Sequence, residues 1–217
     1  MREPDGLSPA GERPQSAHHP RSAELPELRL VSDAQTLRAL THPTRIALIE
    51  TLSIHGPMTA TEAAEHVGES PSSCSFHLRQ LARYGFVEEA GGGQGRRRPW
   101  KMTSLGMRFS SVHADPETEV AAAALSSLIR ERQLGRYRAW LRTRGSYPPQ
   151  WRAAAVDDEH VFWVTAEELT ALSQRLLTEL LPLHRERLDD PSRRPPGALP
   201  VELLVLGYPI VPPRDTR

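Results

Sequence analysis

Cysteine is almost missing from this chain of 217 residues: Cys74 stands alone. One thiol excludes an intramolecular disulfide and a thiolate-rich metal cage within a single subunit, and it suits a reducing compartment. A charge surplus is absent too, since Lys plus Arg and Asp plus Glu each number 27. Overall charge therefore gives no sign of a polyanionic partner, and any such signal has to be local. No apolar run approaches the ~20 residues that cross a bilayer, and the N-terminus lacks the apolar stretch of a secretory signal. The expected setting is cytoplasmic, with no membrane partner. No internal repeat is visible, and the length allows one ordinary domain or two small ones.

What is present begins with a tail. Residues 1–30 are dominated by Pro, Ser, Gly, Glu and His, a composition that cannot offset its ordering entropy by burial, so disorder is expected there. Helical periodicity then sets in. Asp33 is placed to cap a helix bearing Leu37 and Leu40, and Pro43 opens a second one with Ile46, Leu48, Ile49 and Leu52 on its apolar side. Gly56-Pro57 stops it. Thr59 and Glu62 have capping-box spacing, and a short helix follows to about Val67. Gly68 ends that helix, and Ser70-Pro71 opens the next, which runs to Tyr84 and is closed by Gly85. Cys74, Leu78 and Leu81 repeat at four and three residues and face inward, leaving Ser72, Ser75, Phe76, Arg79 and Arg83 outward. Residues 86–89 and 100–103 read as two strands joined by a Gly/Arg-rich loop.

Beyond this hairpin, Pro116 to about Arg142 reads as one long helix with Val120, Ala124, Leu128, Tyr137 and Leu141 among its apolar positions. Residues 160–164 and 201–206 are expected strands. Between them Thr165 and Glu168 form another capping box before a leucine-bearing helix that Pro182 is expected to end or kink. Trp140, Tyr147, Trp151, Phe162 and Trp163 gather aromatic surface that suits a core and dimer contact, or the lining of a small-molecule pocket. The predicted architecture is mainly α with a small β wing: a winged helix-turn-helix over residues 31–112, a dimerisation helix over 113–145, and an α+β region over 146–217 for dimerisation or ligand binding.

A helix-turn-helix followed by a basic hairpin is suited to double-stranded DNA, because the major groove admits one helix while the hairpin reaches the neighbouring backbone. Between Ser70 and Ser110 seven basic residues face only two acidic ones, Glu88 and Glu89, a local surplus of five. The candidate contacts on the recognition helix are Ser70, Ser72, Ser73, Ser75, Phe76, His77, Arg79 and Arg83. Those on the wing are Gln94, Arg96, Arg97, Arg98 and Lys101. Phe76 suits a thymine methyl and Arg79 a guanine or a phosphate, whereas His77 fits packing and phosphate contact equally. Cys74 reads as a small buried filler rather than a redox switch. His113 with Asp115, and Asp157, Asp158, Glu159 and His160, lack diagnostic metal spacing and read as solvated loops, so no metal and no cofactor is expected. No nucleophile, base and orienting partner can be grouped, so catalysis is not expected.

Three short patterns carry a family resemblance. Residues 39–46, ALTHPTRI, resemble an opening L-x-x-P-x-R helix; residues 75–81, SFHLRQL, resemble S-x-H-L-x-x-L; and Gly85-Phe86-Val87 precedes the wing. Together the stretch from Leu37 to Gly106 resembles the winged-helix domain of the ArsR family of bacterial transcription regulators. The resemblance implies a homodimeric repressor on an inverted-repeat operator, released by an inducer, here an unidentified small-molecule effector. Members that sense metal through paired cysteines need two thiolates, and Cys74 alone does not provide them. The competing expectation is a winged helix used as a protein-interaction module without sequence-specific DNA binding, because the fold alone does not dictate function.

Overall fold

The computed structural model describes residues 28–91, 98–110 and 113–210, with the side chains at 180–186 and 188–189 excepted. The first helix, α1 (Ala34–Leu40), starts where the Asp33 carboxylate accepts the Thr36 amide at 2.8 Å. This bond holds the Asp33 carboxyl below its ordinary range. α2 (Pro43–His55) begins with proline in its first turn. α3 (Ala60–Val67) is opened by the reciprocal box of Thr59 and Glu62 and ends on Gly68, whose φ of 76° is the left-handed conformation that glycine adopts without strain. α4 (Pro71–Arg83) follows three residues later, its Ser73 amide donating to the Ser70 hydroxyl at 3.1 Å.

Gly85, at φ 70°, turns the chain out of α4. That left-handed conformation favours glycine; a Cβ there would meet the Arg29 guanidinium at 2.8 Å, the end of a flexible side chain that can give way. β2 (Val87–Glu89) and β3 (Trp100–Met102) then pair antiparallel, with Val87 opposite Met102 and Glu89 opposite Trp100. Met58 adds a rung to this wing by exchanging both backbone hydrogen bonds with Trp100. A second sheet pairs β1 (Leu28–Val31) in parallel with β4 (Gly106–Phe109). α5 (Pro116–Thr143) is capped by Asp115, and its first half lies against α1. α6 (Pro149–Ala154) and α7 (Ala166–Asp189) complete the helices.

One core joins these elements. Leu37 and Leu40 of α1, Leu48 and Leu52 of α2, Leu78 and Leu81 of α4, Phe86, and Leu125 of α5 are all essentially inaccessible. The second half of α5 is fastened to α2 differently. Glu50 accepts Arg132 Nη2 at 2.6 Å and Arg136 Nη1 at 2.7 Å, and Arg136 also pairs with Glu202. The result is a mainly helical chain with small sheets: a winged helix-turn-helix carrying extra helices.

Several expectations need correction. The tail expected through residue 30 gives way at Leu28 to strand β1, whose parallel partner lies far along the chain and leaves no local pattern. Residues 160–164 and 201–206 enter no ladder among the described residues, so the α+β character expected after residue 146 reduces to helices and irregular segments. Their alternation reports which side chains point together, while a strand also needs a partner backbone. Of the two outcomes expected at Pro182, an end or a kink, the first does not occur: α7 continues through it to Asp189. The proline removes one hydrogen bond, and the helical turns on either side persist.

Candidate nucleic-acid interface

α4 is held by one face and open on the other. Cys74, Leu78 and Leu81 are buried against α1, α2 and α3, and burial, then the nearby Glu69 carboxylate, push the Cys74 thiol up. A fully buried, protonated thiol is a poor nucleophile and a poor redox sensor. On the opposite face Ser72, Phe76, Arg79 and Arg83 are exposed and Ser75 is half-buried. Phe76 leaves 51% of its surface accessible on this face. Arg79 Nη1 donates to Ser75 Oγ at 2.7 Å, one turn back, so the guanidinium lies along the open face. At the N-terminus Ser70 caps the helix and its hydroxyl lies 3.0 Å from that of Ser72, while Ser73 is half-buried beside them.

His77 turns away from this row. Its ring packs 4.4 Å from that of His42, the N-cap residue of α2, and edge-on to Phe76 at 5.1 Å. The two imidazole Nδ1 atoms and Arg45 Nε are buried without a hydrogen-bond partner in the protein. Burial first, then the neighbouring positive charges, lowers the affinity of both rings for a proton. His55, stacked on His66 at 4.2 Å, is lowered in the same way. A histidine that holds its proton less tightly when folded contributes stability above its unfolded value, near 6.5, and that contribution is lost as pH falls through the depressed native value. Urea midpoints are therefore expected to drop as pH passes below about 6.5, and the double change His42→Gln with His77→Gln should flatten that dependence. Carboxylates at helix caps, such as Asp33, Glu62 and Asp115, are lowered and titrate further into acid, so the two regimes separate. An unchanged slope in the double variant would contradict the assignment.

The wing cations are partly spoken for. Arg98 Nη1 pairs with Glu89 Oε2 at 2.7 Å and Lys101 Nζ with Glu88 Oε1 at 3.0 Å, all four side chains being exposed. Exposed pairs of this kind hold by about 1 kcal/mol or less, so a phosphate can replace either carboxylate. Gln94, Arg96 and Arg97, named from the sequence, lie outside the described residues. Arg29 was not singled out from the sequence, and Arg45 entered only as the last residue of the L-x-x-P-x-R pattern. Arg29 lies over the Phe86 ring at 4.1 Å, and Arg45 sits beside the His42 and His77 rings. Nothing local in the sequence marks either contact.

The loop carboxylates have other duties. Asp115 caps α5, and Asp157 accepts the Tyr137 hydroxyl at 3.0 Å. Among the described residues no three His, Cys, Asp or Glu side chains gather as a metal site, and no helix is long and apolar enough to cross a membrane.

α3, its tight turn, α4 and the paired wing strands together define a helix-turn-helix module. A family model described as a helix-turn-helix domain matches residues 40–90, from the end of α1 into the wing. No curated protein matches the chain. Among solved structures, a MarR family regulator from Neisseria meningitidis is 17% identical over 66% of this chain and 79% of its own, with a TM-score of 0.30. A second MarR family transcription regulator is 19% identical over 70% of this chain and 78% of its own, also at 0.30.

Proposed function

We propose that this protein is a sequence-specific DNA-binding transcriptional regulator, acting as a dimeric repressor on an inverted-repeat operator. The observation that carries this reading is the open face of α4, where Ser72, Ser75, Phe76 and Arg79 stand outward while the opposite face is locked into the core. Groups of these types suit base edges: a guanidinium for guanine, hydroxyls for several acceptors, an aromatic edge for the thymine methyl. The helix-turn-helix match over residues 40–90 supports the same reading, as does the ArsR resemblance of the helix patterns. A dimer would set two such helices in successive major grooves, about 34 Å apart. An unidentified small-molecule effector belongs to this proposal by resemblance alone.

Fluorescence anisotropy with genomic fragments tests it. The expected result is a complex at moderate salt that prefers particular fragments over bulk competitor DNA. Binding that is uniform across fragments and vanishes at moderate salt would favour a protein-interaction role for the winged helix, since only the unspecific electrostatic component would then remain.

A further inference from the structure

After Leu125 no described side chain is buried. The chain there is nevertheless apolar. Two irregular segments, residues 155–164 and 199–210, hold thirteen exposed large apolar side chains, among them a fully exposed Trp163. At roughly 80 Å² apiece these present on the order of 1,000 Å², more than the ~800 Å² per partner of a stable interface. Both segments are tied at one point to the second half of α5. The Tyr137 hydroxyl donates to Asp157, and the Arg136 guanidinium to Glu202. Their apolar side chains therefore belong to the same region as Leu134, Tyr137 and Leu141, which α5 itself leaves exposed.

Charge distinguishes the occupant of this surface. From Arg130 to its end at Thr143 α5 carries five arginines and one glutamate. Glu50 and Glu202 take Arg132 and Arg136, while Arg138 and Arg142 have no ion pair among the described residues. The first segment carries Asp158 and Glu159, which are likewise without one among the described residues, beside its apolar run 161–164. A basic apolar helix and an acidic apolar arm on one chain are complementary between two copies, the condition for a two-fold interface in which each arm meets the other subunit's helix. An anionic lipid surface would repel Asp157, Asp158 and Glu159.

We propose that residues 155–164 and 199–210 are exchanged arms of a homodimer: each arm, tied to its own α5 at Asp157 and Glu202, lays its apolar side chains on the second half of α5 in the other copy, with Trp163 as the anchor and Asp158 and Glu159 facing the other copy's Arg138 and Arg142. This rests on the dimer of the proposed function and specifies its interface. Sedimentation velocity of the full chain over a dilution series tests it. Trp163→Ser is expected to raise the dimer dissociation constant at least ~30-fold, the scale of a tryptophan hot spot. Arg138→Glu with Arg142→Glu should weaken the dimer, and adding Asp158→Arg with Glu159→Arg should restore it. Because all these side chains are exposed, far-UV circular dichroism should stay unchanged in every variant. A dimer that neither Trp163→Ser nor the charge reversal weakens, or a reversal that the compensating pair fails to rescue, overturns the arm exchange and leaves the dimeric reading standing. A wild-type chain that is monomeric throughout overturns both, and DNA binding is read separately by anisotropy.

Discussion

Replacing Phe86 with alanine is expected to cost about 3–5 kcal/mol, the range for emptying a fully buried aromatic site. Phe86 is 1% exposed and sits where α4 hands over to the wing. Its ring is covered by the Arg29 guanidinium, which holds β1 to this corner. Its carbonyl receives the Thr103 amide at 3.2 Å, tying the returning strand to the same point. The void would therefore open under three elements at once and could not close by moving one of them. Single domains are stable by about 5–15 kcal/mol, so the loss takes a large share of the total. Urea unfolding followed at 222 nm measures it, and a midpoint shift equivalent to less than about 1.5 kcal/mol would show that the corner repacks. DNA affinity should fall in parallel, because α4 and the wing are positioned through this residue.

The elements of the helix-turn-helix were legible because their signals are local. Asp33, Thr59 and Ser70 each cap the helix that follows them, as their identity and spacing suggest, and Cys74, Leu78 and Leu81 are buried as their periodicity requires. What escaped depends on distant partners. The pairing of Leu28–Val31 with Gly106–Phe109 joins segments that share no pattern until the chain has folded. His42 and His77 come together only because α2 begins beside α4, so the sequence left packing and phosphate contact level for His77, whose ring packs against another imidazole. The pairing of Arg98 with Glu89 follows from the register of the wing, which composition does not reveal. In the C-terminal region the error ran the other way. Alternating apolar residues at 160–164 and 201–206 suggested strands within one subunit, yet no backbone partner lies there among the described residues. The same alternation marks surface that awaits burial, which is the observation behind the exchanged arms.

Arg79→Ala is expected to weaken binding to a preferred fragment by about 1–3 kcal/mol, roughly 5- to 150-fold, and to relax the preference at one position of the operator. In the free protein the guanidinium donates to Ser75 across one turn of α4. That contact holds the side chain along the reading face at little ordering cost, and one donor of the fork is satisfied while the rest stay open to a base or phosphate. Ser75→Ala should produce a smaller loss of the same kind, since it frees the guanidinium without removing it. Arg98→Ala offers the contrast. Its partner Glu89 is also at the protein surface, so the residue is placed to neutralise a phosphate, and its removal should lower the salt slope by about 0.9 with the sequence preference intact. Anisotropy titrations at several salt concentrations, on preferred and scrambled fragments, separate the two effects. Equal losses on both fragments for Arg79→Ala would place that residue on the backbone, and sequence reading would then fall to Ser72, Ser75 and Phe76.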